Sequence, residues 1–262
     1  MKMKKFFALA MAGILALAMT GCGANKSDSE YIKEKGTLKV GYTIINPLNY
    51  EEDGQLIGFE TDFAKAVAYE LGVDAEFIEI NWDAKETELN SKNIDCIWNG
   101  MTITPERAEN MSISTPYLEN RQVLVVRAED AEKFAEGVGA AKVVAEAGSA
   151  GEELATTSED FATAEFTPVQ SMATALMEVK SGTADIAIID YVMAGSSTGE
   201  GTDFADLAIV DNDYESEEYG IAFRKGSDVT AEVNAIITKL VEDGTLKAIA
   251  DDYGLTNILI AK

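Results

Sequence analysis

From residue 37 to residue 253, short β-rich runs alternate with amphipathic helical stretches, and few folds accommodate that order. Residues 37–43 read as a strand. Residues 61–71 read as a helix, with Thr61 as its cap, Phe63, Val67 and Leu71 on one face, and Gly72 as its stop. Residues 75–80 read as strand, 83–91 as helix and 94–98 as strand. Such βαβα order predicts a mostly parallel sheet flanked by helices. A second set follows, with strands at 122–127, 142–147, 165–169 and 184–189 and helices from about Ser149 and over 171–180. A strand at 207–210, a run at 219–224 and helices at 229–243 and 245–253 complete the pattern. No long linker separates the two sets, so the expectation is two α/β lobes in close contact, with the chain passing between them more than once.

Composition removes whole classes of function. The chain has no histidine, which excludes histidine-based metal sites and Ser-His or Cys-His catalysis. No metal site and no cofactor are expected. The net charge of −25 argues against nucleic acid and against direct binding to anionic lipid. Acidic patches such as Glu51-Glu52-Asp53, Glu217-Glu218 and Asp251-Asp252 read as solvated faces. Residues 1–22 read as a leader: Lys2, Lys4 and Lys5 precede an apolar run at 6–19 that is short for a bilayer span. Beyond it only Cys96 remains, so no disulfide framework is expected within the mature chain.

Ligands of open α/β sheets collect beyond the carboxyl ends of the strands. Three such ends carry useful groups. Asn99-Gly100-Met101-Thr102 follows the strand at 94–98, and Arg107 lies just beyond, on a helical turn. Gly148-Ser149 opens a helix, whose N-terminus favours an anion. Asp190 closes an apolar strand. A guanidinium, a helix N-terminus and an acid at three strand ends suit the carboxylate and ammonium of a free amino acid.

The chain also resembles a known family, the extracytoplasmic solute-binding proteins of polar amino-acid ABC transporters. The resemblance runs from about Tyr31 to Tyr253. It is carried by Gly-Thr-Leu-Lys-Val-Gly-Tyr at 36–42, Gly-Phe-Glu-Thr-Asp at 58–62, Asn-Trp-Asp at 81–83, Met-Thr-Ile-Thr-Pro-Glu-Arg at 101–107, Ser-Thr-Pro-Tyr at 114–117, then Asp190, 220–224 and Asp-Gly-Thr at 243–245. Thr20-Gly21-Cys22 resembles a bacterial lipobox, with Met19 in place of the usual Leu. That implies lipidation at Cys22 and a short tether over residues 23–30.

The resemblance implies a type II periplasmic-binding-protein fold, with two lobes joined by two hinge strands. Lobe 1 would comprise residues 31–120 plus 216–262, and lobe 2 residues 121–215. Arg107 would bind the ligand carboxylate with help from Ser149. Thr102, the Gly100 carbonyl and Asp190 would hold its backbone and ammonium. Trp82 would stack on the side chain. Ile45 stands where a second aromatic is usual, which leaves Tyr42 as a substitute, and Asn46 and Asn99 are candidate side-chain contacts. The implied protein is exported, lipid-anchored at the outer face of the cytoplasmic membrane or in the periplasm, and monomeric. Its partners would be a free amino acid and an ABC permease with a cytoplasmic ATPase. The alternatives are a cyclohexadienyl-dehydratase-like enzyme on the same scaffold and a ligand sensor for a signalling partner. Trp82 suits arginine, glutamine, histidine or cystine equally.

Overall fold

The structure, a computed structural model, describes residues 26–210 and 213–261; the leader and Cys22 lie outside them. In chain order the elements are α1 Asp28–Lys35, β1 Thr37–Tyr42, β2 Tyr50–Glu52, β3 Gln55–Ile57, α2 Phe59–Leu71, β4 Asp74–Glu79, α3 Lys85–Asn90, β5 Cys96–Ile97, α4 Pro105–Asn110 and β6 Met111–Ile113. Next come β7 Leu118–Arg127, α5 Ala131–Phe134, β8 Lys142–Glu146, α6 Ala150–Thr157, β9 Glu165–Val169, α7 Met172–Ser181, β10 Ile186–Asp190, α8 Tyr191–Ser197 and β11 Leu207–Val210. The chain ends with β12 Ser216–Tyr219, β13 Ala222–Arg224, α9 Val229–Glu242 and α10 Thr245–Asp252.

Two sheets form the lobes. The first runs β4-β1-β5-β13-β6, and the second β11-β7-β10-β8-β9. Each holds a parallel trio, β4-β1-β5 and β10-β8-β9, extended by antiparallel strands. The chain leaves the first sheet through β7 and returns through β12. These two strands pair antiparallel from Leu118↔Tyr219 to Arg121↔Ser216, before β7 continues into the second sheet. β5, β8 and β10 therefore aim their carboxyl ends at the space between the sheets.

Several boundaries differ from expectation for identifiable reasons. Thr61 does not cap α2. The helix starts two residues earlier after Gly58, and the Thr61 hydroxyl donates to the Ile57 carbonyl (3.2 Å) while accepting from Asn49 Nδ2 (3.0 Å). Gly58 has φ +126°, and a Cβ there would stand 2.2 Å from the Leu48 carbonyl oxygen, so the chain passes too closely for a side chain. The chain before it forms a hairpin, β2–β3, turned at Asp53-Gly54 with φ of 52° and 75°, as a two-residue primed turn requires. The tether expected over 23–30 runs into helix, because Ser27 and Glu30 form a capping box that starts α1.

α4, which carries Arg107, is short and depends on its start. Thr104 accepts from the Arg107 N–H (3.2 Å), and Pro105 occupies the first turn. Thr104→Ala is expected to cost about 1 kcal/mol, seen as a melting temperature lower by about 2–4 °C in differential scanning fluorimetry. An unchanged melting temperature would remove the cap from the account.

Candidate functional site

Arg107 is 8% exposed. Its guanidinium donates from Nη1 to the Thr102 carbonyl (2.9 Å) and from Nη2 to the Gly148 carbonyl across the cleft (3.2 Å). Two of its five N–H groups thus hold it in place, and the rest of the fork is free to meet a carboxylate. Burial lowers its pKa, and Glu153, Glu217 and Asp190 oppose that effect. Thr102 itself is buried and bridges to Tyr219 of the returning hinge strand.

Facing Arg107 from β10 is Asp190, 3% exposed. Gln122 Nε2 donates to its Oδ1, and Asn120 and the Tyr219 hydroxyl lie beside it. Burial raises the Asp190 pKa, while Gln122, Tyr219, Asn120 and Arg107 hold it down. Glu217 of β12 joins the same network, accepting from Gln122 Nε2 (2.9 Å) and from Asn120. Burial, and then the nearby Asp190, push the Glu217 carboxyl up to about 7. The reading of Glu217-Glu218 as a solvated patch is therefore corrected for Glu217, which is partly buried while Glu218 is exposed. Neighbouring strand residues face opposite ways, a signal that alternation could have supplied.

Gly100 turns with φ +55° and donates its N–H to both carboxylate oxygens of Glu60 (2.9 and 3.1 Å). Glu60 is fully buried and also accepts from the Tyr117 hydroxyl. The acid quoted only as part of the 58–62 motif thus fixes the turn that leads to Thr102.

Ser149 caps α6, its Oγ accepting from the Glu152 N–H (3.1 Å). Its own N–H donates to the Glu146 carbonyl (3.2 Å), and the Gly148 N–H donates to the Glu152 carboxylate (2.6 Å). The end of β8 thus engages the Ser149 N–H, and the first turn of α6 engages its hydroxyl.

Trp82 is 5% exposed, and Lys85 Nζ lies 4.9 Å from its ring centroid. Lys85, which the sequence reading left aside, is itself buried and donates to the Gly148 carbonyl (2.8 Å) and the Trp82 carbonyl (3.3 Å). Burial, and then Arg107, lower its pKa to about 8. Tyr42 is buried edge-on to Phe77, and Ile45 lies in the core. Asn46 is exposed at the cleft rim, where its carbonyl accepts from Ser196 Oγ of the other lobe (2.6 Å).

Asn99 Nδ2 donates to the Thr43 carbonyl (2.8 Å) and Asn49 Oδ1 (2.9 Å), and its Oδ1 accepts from the Thr43 hydroxyl (2.6 Å). Both ends of the amide tie the turn after β5 to the loop that follows β1, so Asn99 holds that loop in place.

A cavity of about 890 Å³ opens along the hinge side of these groups, lined by Thr102, Gln122, Ala150, Glu153 and Glu217 among others. Among the described residues no His/Cys/Asp/Glu group could hold a metal ion, and no helix is long and apolar enough to cross a membrane.

Comparison with known proteins gives concordant results. The sequence model of the bacterial extracellular solute-binding proteins, family 3, matches residues 38–256. The chain is 28% identical over 249 residues to the arginine-binding extracellular protein ArtP of Bacillus subtilis, covering 94% of this chain and 96% of ArtP. It is 30% identical over 263 residues to the L-cystine-binding protein TcyJ of Escherichia coli, covering 97% of each. Its fold is similar to the crystal structure of a mutant ArgBP from T. maritima, with a TM-score of 0.79, 28% identity, and coverage of 86% and 98%.

Proposed function

From the premise that the chain belongs to the bacterial extracellular solute-binding proteins, family 3, we propose that it binds a free polar amino acid between its lobes and delivers it to an ABC importer. The observation that supports this most directly is a buried cation, Arg107, and a buried acid, Asp190, within electrostatic reach of each other, a set suited to the two ends of a zwitterion. In this reading Arg107 takes the carboxylate, the Thr102 hydroxyl and Gly100 carbonyl take the ligand backbone, Asp190 takes the ammonium, and Trp82 covers the side chain. Ser149 contributes by holding the start of α6 beside Arg107. Tyr42 and Asn46 stand further out.

Lobe 1 comprises residues 31–120 plus 216–262 and lobe 2 residues 121–215, with β7 and β12 as hinges. Ligand closes the lobes by favouring the state in which both halves of the clamp touch it. The closed monomer is the form offered to a permease that works with a cytoplasmic ATPase. The protein is exported, and lipid at Cys22 tethers it to the membrane.

Isothermal titration calorimetry of the mature chain against the amino acids tests the reading, and a saturable heat with at least one polar amino acid is expected. Asp190→Asn is expected to weaken that binding about 30-fold or more, as loss of a buried charge partner does, while its thermal unfolding stays cooperative. Binding as tight as wild type would sink the assignment of Asp190.

A further inference from the structure

Two buried, oppositely charged side chains beside the clamp are not needed for the α-amino-acid grip. Lys85 comes from lobe 1 and is 6% exposed. It lies over Trp82 and reaches the Gly148 carbonyl of lobe 2. Glu146 comes from lobe 2 as the last residue of β8, two positions before Gly148, and is 2% exposed. The Met172 N–H at the start of α7 bonds its carboxyl, but its Oε1 has no hydrogen-bond partner. Asp190 and Lys85 are the charges that Glu146 feels. Arg107, Glu86, Asp83 and Glu146 are those that Lys85 feels.

We propose that Lys85 and Glu146 together read the end of the ligand's side chain, and that the site selects amino acids whose side chain ends in an acceptor and a donor side by side. A carboxamide has that pattern, and so does a second ammonium–carboxylate head. The proposal rests on the amino-acid reading above and narrows it.

The chemistry of the two groups sets the rule. A lysine ammonium only donates, and Glu146, once it releases the proton that burial favours, only accepts. A group bound between them must offer an acceptor to Lys85 and a donor to Glu146. An arginine or lysine side chain offers donors alone: it suits Glu146 but sets a second cation against Lys85 on the Trp82 face that would otherwise attract it. A glutamate side chain suits Lys85 but sets a carboxylate against Glu146. Either mismatch leaves a buried charge opposed rather than matched. A paired acceptor and donor instead favours the charged form of both residues, which burial works against: it draws Lys85 down to about 8 and Glu146 up to about 8.

The experiment is calorimetry of the mature chain at neutral pH with L-glutamine, L-cystine, L-cystathionine, L-arginine and L-glutamate. The better of glutamine and the double-headed ligands is expected to bind about tenfold or more tighter than both arginine and glutamate. Tight glutamine with weak cystathionine assigns a carboxamide, and the reverse assigns a second head. Lys85→Met is expected to raise arginine affinity relative to the preferred ligand by about tenfold, and Glu146→Leu to do the same for glutamate. Lys85→Met carries the test alone if Glu146→Leu does not fold. Arginine or glutamate within about threefold of the preferred ligand in wild type, or an unchanged ratio in Lys85→Met, overturns the proposal and leaves amino-acid binding standing. No heat with any amino acid overturns the amino-acid reading, and this proposal with it.

Discussion

Arg107→Ala is expected to weaken amino-acid binding by about 2–5 kcal/mol, roughly 30- to 4,000-fold, because it removes one partner of a buried charge contact. The fold is expected to survive. The two acceptors that lose a donor, the carbonyls of Thr102 and Gly148, border the cleft, and Gly148 keeps its bond from Lys85. Arg107→Lys is expected to recover little, since a point charge cannot make the planar two-pronged contact while also holding Thr102 and Gly148. Calorimetry with circular dichroism on the same samples decides the matter. Wild-type affinity in the alanine variant would move the carboxylate grip elsewhere.

The second large effect concerns stability. Glu60 is fully buried, and burial lifts its carboxyl to about 7 from an ordinary 4.5, against the lowering effect of the Tyr117 hydroxyl and the Gly100 N–H. The folded state therefore binds a proton over a pH range in which the unfolded chain has released it. The resulting stability is complete below the unfolded value and is lost as the pH rises through 7. The contribution of Glu60 is about 3 kcal/mol, equivalent to roughly 6–12 °C in melting temperature. Glu146 and Glu217, also raised, act in the same direction. The protein is thus expected to melt at lower temperature at pH 8.5 than at pH 5.5, and Glu60→Gln to flatten the dependence. A fluorimetry series across this range checks it. Parallel curves for wild type and variant would show that Glu60 does not titrate as described.

Residues whose role follows from breaking a local pattern were legible in the sequence. Asp190 is an acid ending an apolar strand, and Arg107 follows a strand-end turn and a Pro-started helix; the structure brings both into one cleft. By the same rule Glu146, an acid closing the buried strand β8, could have been found. Lys85 and Glu60 could not, because a lysine or glutamate on a helix is ordinarily solvated. Each is buried by something distant in sequence: Lys85 by Gly148 of the opposite lobe, Glu60 by Gly100 and Tyr117. The loop-holding bonds of Asn99 were hidden for a related reason, since its partners Thr43 and Asn49 precede it by about fifty residues and only the folded loop shows its amide engaged. The α/β order was legible over most of the chain, whereas α1, the β2–β3 hairpin, β6 and α8 were not. The helix start at Phe59 was not, because it depends on the close passage of Gly58 against Leu48.

The Gly148 carbonyl, which accepts from both Lys85 and Arg107, makes one peptide group an internal competitor for the ligand. In the proposed reading, capture is then partly an exchange at Nη2 and partly the filling of the guanidinium N–H groups left open. An arriving carboxylate shares or displaces a protein oxygen already resting on the guanidinium, and the measured affinity reports only the difference between the two. In the same proposed reading the carbonyl assists departure: as the ligand loosens, the bonds from Lys85 and Arg107 to Gly148 keep those cations from being left bare. A receptor that must surrender its cargo gains from such a built-in substitute, because release need not pass through a state with two unsolvated positive charges.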